Sequence, residues 1–231
     1  MSDVSDTTEL IFLPAFGTDA RLYTPQANVF KNFTVPSWIS HRRGESLSQY
    51  AERLAETINP RGPYIIGGVS LGGMVAHELA VHLCKRDLKP SGLILVATCR
   101  SRNGLRGWQR GLAPLANALP AEAYSIAKPL APVVNLFYMG LPEDLRRLPV
   151  RMFQDQDSRF MQWALAAILR WQSSPPADVP TFQLHGRRDH VISIKNVEPN
   201  EIIEDGGHLI NLSHAEQVNE FIARAVASVS S

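Results

Sequence analysis

The stretch Tyr64-Ile65-Ile66-Gly67-Gly68-Val69-Ser70-Leu71-Gly72-Gly73-Met74 decides how this chain of 231 residues is read. An apolar, β-branched run ends in glycines, a serine follows between glycines, and Met74-Val75-Ala76-His77-Glu78-Leu79-Ala80 continues as a helix. Gly68-Val69-Ser70-Leu71-Gly72 has the spacing G-x-S-x-G, a sharp strand-to-helix turn that lifts the serine above a sheet. Such a turn strains the serine backbone and crowds the residues two before and two after it, which glycine tolerates because it has no Cβ. The helix starting there points free N–H groups at the reacting centre, a setting that suits a developing oxyanion. A Walker loop needs Lys and then Ser or Thr after Gly72, where this chain has Gly73 and Met74. The dinucleotide fingerprint fails as well, because Ser70 stands two residues after Gly68. Ser70 is the candidate nucleophile.

Working outward, strand-like and helix-like segments alternate. Leu10-Ile11-Phe12-Leu13 is an apolar run that stops at Pro14, the pattern of a buried strand feeding a loop. Asp19 is placed to cap a helical segment from Ala20 to Phe30, and Phe33 to Ile39 reads as a strand that Pro36 pushes to an edge. Ser46 opens a helix with Leu47, Tyr50, Leu54 and Ile58 at helical spacing. Beyond the elbow, Leu93 to Ala97 is another buried-strand run, and the alternation argues for a parallel sheet covered on both faces. The rhythm then changes. From Arg100 to Trp171 the apolar residues recur at helical spacing, interrupted by six prolines, which reads as a helical insertion at about 100–171 and not a second domain. Strands at Pro180 to Gly186 and Glu201 to Glu204 and a helix from Ala215 to Val229 complete one domain over residues 1–231.

Composition limits the alternatives. Hydrophobic residues make up 45% of the chain, enough for one substantial core. Twenty-three Lys and Arg against 22 Asp and Glu leave a formal charge of +1, so no global field points to nucleic acid or an anionic membrane. Two cysteines are too few for a disulfide framework. The polar, acidic N-terminus lacks a signal peptide's regions, and no apolar run nears the ~20 residues of a membrane span. The expectation is a cytoplasmic protein without cofactor or metal, its oligomeric state open.

A serine needs a base to take its proton and a third group to orient that base. Of seven histidines, His208 lies in a glycine turn, Asp205-Gly206-Gly207-His208-Leu209, directly after the last strand, from which an imidazole can swing over the strand ends. His185, at the end of the preceding strand, is its rival. The acid should lie at another strand end upstream of the histidine. Asp189 fits in Leu184-His185-Gly186-Arg187-Arg188-Asp189-His190, with Asp205 as competitor. The order Ser70, Asp189, His208 differs from the chymotrypsin and subtilisin orders.

On these motifs the chain resembles the α/β-hydrolase superfamily along nearly its whole length, and most closely its small carboxylesterase and thioesterase branch. Leu13-Pro14-Ala15-Phe16-Gly17 is similar to the oxyanion loop, Gly68 to Gly72 to the elbow, His185 to Asp189 to the acid turn, and Gly207-His208-Leu209 to the histidine turn. The resemblance implies an α/β fold with a mostly parallel, doubly wound sheet, lacking the usual first two strands and carrying the insertion as a lid. It also implies an oxyanion hole from the backbone N–H of Phe16 and Leu71. Where the family loop commonly reads His-Gly, this chain has Pro14 and Ala15. Proline offers no N–H, but position 14 is not the expected donor.

Substrate specificity should come from the insertion, which carries ten basic and five acidic residues. Arg102, Arg106 and Arg110 are candidates to hold an anionic group of the substrate, because guanidinium forks suit carboxylate and phosphate. A solvated helical face accounts for the same charges. Trp108, Phe137, Tyr138, Phe160, Trp163 and Trp171 suit either an apolar acyl pocket, with Trp108 a substrate-binding candidate, or the insertion's own core. The leading expectation is a serine hydrolase acting on a small-molecule or carrier-bound acyl ester or thioester. The alternatives are an acyltransferase, a cofactor-free lyase or oxygenase on the same residues, and a ligand-binding protein on the same fold.

Overall fold

The computed structural model describes residues 8–105, 107, 111, 123 and 141–229. Its strands are β1 (Glu9–Leu13), β2 (Phe33–Thr34), β3 (Tyr64–Val69), β4 (Gly92–Val96), β5 (Thr181–Gly186) and β6 (Glu201–Ile203). They form one sheet in the order β2-β1-β3-β4-β5-β6, and every pairing among the described residues is parallel. The helices are α1 (Thr24–Ala27), α2 (Leu47–Ala55), α3 (Leu71–Cys84), α4 (Arg147–Asp155), α5 (Ser158–Arg170), α6 (Ile210–Ser213) and α7 (Ala215–Val229).

The strands alternate between two cores, as parallel strands buried on both faces must. Ile11, Leu13, Ile66, Leu93 and Leu95 pack with residues of α2, α3 and α5. Leu10, Phe12, Ile65, Ile94 and Val96 face the other way, onto α7 and Met152 of α4. Helix α3 is buried along nearly its whole length, which explains its apolar sequence on every side. Helix α2 opens with a capping box in which Ser46 Oγ accepts from the Gln49 amide and Gln49 Oε1 accepts from the Ser46 amide.

Two sequence expectations are corrected. The strand expected over Phe33 to Ile39 is only two residues long, paired with β1 at the sheet edge, because Pro36 has no N–H to extend a ladder. The helix expected from Ala20 to Phe30 divides into a 3-10 turn, Ala20–Tyr23, and α1, with Pro25 in the first turn of α1. Asp19 does cap it, accepting from the Arg21 amide at 3.0 Å. Of the insertion, α4 and α5 are described, and most of residues 106–140 lie outside the described residues.

The chain leaves β1 for β2 on one side and returns to β3 on the other, so the strand order reverses between β1 and β3. Ligands of open α/β sheets bind outside the carboxyl ends of the strands at such a reversal. The loop after β1 carries Phe16, and the turn after β3 carries Ser70.

Candidate active site

Ser70 joins β3 to α3 with φ 55° and ψ −118°, a conformation that costs a non-glycine residue on the order of 1–3 kcal/mol. Its surroundings hold it there. The Ser70 amide donates to Val96 O at 3.1 Å, and its carbonyl accepts from the Met74 amide at 3.1 Å and from Thr98 Oγ1 at 2.7 Å. A Cβ at Gly68 would stand 2.5 Å from Gly72 O, so the glycine pair is a steric requirement of the turn. Fully buried Tyr23 fastens the ends of β1 and β3 together: its hydroxyl donates to Leu13 O at 2.7 Å and accepts from the Val69 amide at 3.0 Å.

The acid and histidine turns are clamped to each other. The Arg188 amide donates to Gly206 O at 2.9 Å, and a Cβ at Gly186, the last residue of β5, would stand 2.6 Å from the Gly206 carbonyl carbon. This brings Asp189 and His208 together, both 4% exposed. His208 Nδ1 lies 2.7 Å from Asp189 Oδ2, so Nδ1–H donates to the carboxylate and the neutral ring keeps its Nε2 lone pair free of a proton. Asp189 Oδ1 accepts from the amides of Val191 at 2.8 Å and Ile192 at 2.9 Å. Burial pushes the Asp189 carboxyl up, but the His208 and His185 rings and the Ile192 amide outweigh it and hold the group below the usual carboxylate range.

The amides of Phe16 and Leu71 have no hydrogen-bond partner among the described residues. The competitors for the acid and base roles are otherwise occupied. Asp205 is exposed and pairs with His214 Nε2 at 3.2 Å. Arg187 pairs with Glu204 rather than with Asp189. His77 and His82 serve packing on α3, hydrogen-bonded to Ser174 O and Ser48 Oγ. His185 is fully buried behind Asp189. Cys99 is also buried, its thiol pushed up to about 12 by burial, which makes it a packing residue.

Beside the oxyanion loop a cleft of about 620 Å³ is lined by Pro14, Trp38, His41, Arg159 and Phe160, among others. Phe160 lines this cleft, and a second cleft, bordered by Ser48 and Arg170, is lined by the largely buried Trp163 and Trp171. Their indole N–H groups donate to Glu45 O at 2.9 Å and to Glu78 Oε1 at 2.8 Å. Arg102 is exposed in the 3-10 turn Arg102–Gly104; Arg106, Trp108 and Arg110 lie outside the described residues. Among the described residues no group of three or more His, Cys, Asp or Glu could hold a metal ion, and no helix is long and apolar enough to cross a membrane.

Sequence reasoning missed Tyr23 and Thr98, which brace the elbow from other elements. No local pattern marks either one, because each acts through a contact made only on folding.

Residues 10–221 match the alpha/beta hydrolase family, and the chain belongs to that family. A thermophilic esterase from Thermogutta terrifontis, solved with malate bound, superposes with a TM-score of 0.73 at 18% identity, covering 100% of this chain and 93% of its own. YbtT, a type II thioesterase from the yersiniabactin NRPS/PKS biosynthetic pathway, gives 0.69 at 19% identity, covering 100% and 97%. At such identity these likenesses are of fold. A 52-residue stretch is 35% identical to the polyketide synthase PksR of Bacillus subtilis (strain 168); it spans 22% of this chain and 2% of that protein's length.

Proposed function

We propose that this protein is a serine hydrolase that cleaves carboxylic esters or thioesters through an acyl-enzyme on Ser70. The observation that carries the proposal is the 2.7 Å hydrogen bond from His208 Nδ1 to buried Asp189, at the same edge of the sheet as a serine in strained elbow geometry. In the first half-reaction Ser70 Oγ attacks the acyl carbon while His208 Nε2 accepts its proton. The Phe16 and Leu71 amides bind the oxyanion of the tetrahedral intermediate. Collapse expels the alcohol or thiol, which takes the proton back from His208. Water, losing a proton to the same nitrogen, then attacks the acyl-serine; His208 returns that proton to Ser70 as the acid leaves. Asp189 stays ionised throughout and stabilises the imidazolium.

A carrier-bound thioester is the favoured substrate class, since a type II thioesterase and a segment of a polyketide synthase are among the similar proteins. Arg102, Arg106 and Arg110 would draw in an anionic acyl donor, an effect that salt screens. The test is a serine-directed fluorophosphonate, followed by matched neutral and anionic esters and thioesters. Ser70→Ala should lose labelling and hydrolysis together. Labelling that persists in Ser70→Ala would remove the assignment.

A further inference from the structure

Asp189 has two histidines, and only one is accounted for. His185, the penultimate residue of β5, is fully buried, with Nε2 2.9 Å from Ile192 O and 3.3 Å from Asp189 Oδ2. A carbonyl only accepts, so Nε2 carries the ring proton in the neutral form, and Nδ1 is left bare. Among the described residues that buried Nδ1 has no hydrogen-bond partner. Leaving a buried acceptor unsatisfied is unfavourable, and a ring kept on those terms is kept for what its other nitrogen does. What Nε2–H does is hold the turn that holds the acid. Ile192 is gripped at both ends: its N–H donates to Asp189 Oδ1, and its carbonyl accepts from His185.

We infer that His185 is a positioning residue for Asp189: its Nε2–H pins the 189–192 turn and thereby fixes the carboxylate that orients His208. This rests on the triad proposed above. The two rings on one carboxylate then divide the work. His208 gains and loses a proton at Nε2. His185 stays neutral, because burial disfavours its charged form more strongly than Asp189 favours it. The titratable groups acting on its ring are Asp189 and His208. A proton on Nδ1 would set a second cation against Oδ2 and weaken the grip of Asp189 on His208.

The test compares His185→Leu, which removes the donor, with His185→Gln, whose amide nitrogen reaches the position of Nε2. His185→Asn serves as a polar control too short to meet Ile192. In His185→Leu and His185→Asn, kcat should fall about 10–100-fold, taking as guide the range seen when outer-shell partners of metal-site ligands are lost. KM should stay within about twofold, the pattern of a lost transition-state interaction. The acid limb of kcat/KM should move to lower pH, because a poorly held Asp189 stabilises the imidazolium less. His185→Gln should recover most of kcat and return the limb to its wild-type position. An unmoved acid limb in a folded His185→Leu or His185→Asn overturns the inference, as does a His185→Gln no better than these two. In either case the ring merely fills space. Fluorophosphonate labelling of wild type and of His208→Ala separates the two levels. If wild-type Ser70 is not labelled, or labelling is unchanged in His208→Ala, the triad fails and the inference with it. If both controls behave as the triad requires, only the role of His185 is at stake.

Discussion

Glu78 and Asp189 are both buried carboxylates, and they are buried for opposite reasons. Glu78, on the buried helix α3, is 0% exposed and accepts from Trp171 Nε1 at 2.8 Å, the Ser174 amide at 2.9 Å and Ser174 Oγ at 2.6 Å. Asp189 is 4% exposed, with two backbone amides on one oxygen and a histidine on the other. In both, burial raises the carboxyl and is outweighed, by hydrogen bonds at Glu78 and by the His208 ring's charge and hydrogen bonds at Asp189, so both stand below their ordinary range. The difference is in the donors. Those of Glu78 are indole, amide and hydroxyl groups whose protons stay in place, so its charge is a fixed anchor tying the far end of the insertion to α3. Asp189 bonds a ring that can take up a proton on its opposite nitrogen, so its charge can respond to chemistry there. A buried carboxylate is functional through what its partner can do, not through its burial.

The contrast is broken most forcefully at the acid itself. Asp189→Asn should lower kcat/KM by about 10³–10⁴-fold, as loss of a triad orienter does, with a melting temperature near wild type. Ester turnover and a thermal melt check this, and a variant that mainly loses stability would make Asp189 another Glu78. The opposite result is expected at the anchor. Glu78→Gln turns an acceptor oxygen into a donor facing other donors, at a cost of about 1–3 kcal/mol. For a chain of this size that is a drop of roughly 2–12 °C in Tm, and kcat/KM per folded molecule should stay within about tenfold of wild type. The smallest effect is on the pH dependence of stability. Both carboxylates have folded pKa values below their unfolded ones, so their contribution is complete above the unfolded range of ~4 and is lost as pH falls through the folded values. His185 is likewise depressed by burial, so its contribution begins to fall away below the unfolded imidazole value of ~6.5. Melts from pH 8 to pH 3 should show a shallow decline before the steep one. His185→Gln should flatten the first, and Glu78→Gln should soften the second.

Much of this was legible in the sequence because it rests on local rules. The parallel strands announced themselves as short apolar runs, Ser46 as a helix start, and Gly68 and Gly72 as a turn with a steric cause. Asp189 and His208 were found by asking which residues stand at strand ends, a question the parallel topology makes answerable. Sequence position already favoured Asp189 over Asp205, and what it could not supply is the partner of Asp205, which the fold turns outward to His214. Tyr23 and Thr98 were illegible for the same reason: each braces the elbow across a gap in sequence, and neither has a pattern of its own. The tryptophans of the insertion were ambiguous because a ring that packs and a ring that binds have the same spacing. The fold gives the indole N–H groups of Trp163 and Trp171 partners inside the protein while both rings still line a cleft, so each packs and borders open space at once.

The backbone of Ser70 has a mechanical consequence. Its N–H is bonded to the neighbouring strand and its carbonyl to both the helix and Thr98, so no loop residue separates the last rung of the sheet from the first turn of α3. There is no hinge there. A residue at the mouth of the site thus moves with the most protected part of the molecule, and deuterium reaches its amide only when the sheet itself opens. On the function proposed above, whatever adapts to different acyl groups is built from other segments, while the Ser70 backbone keeps the stiffness of the core.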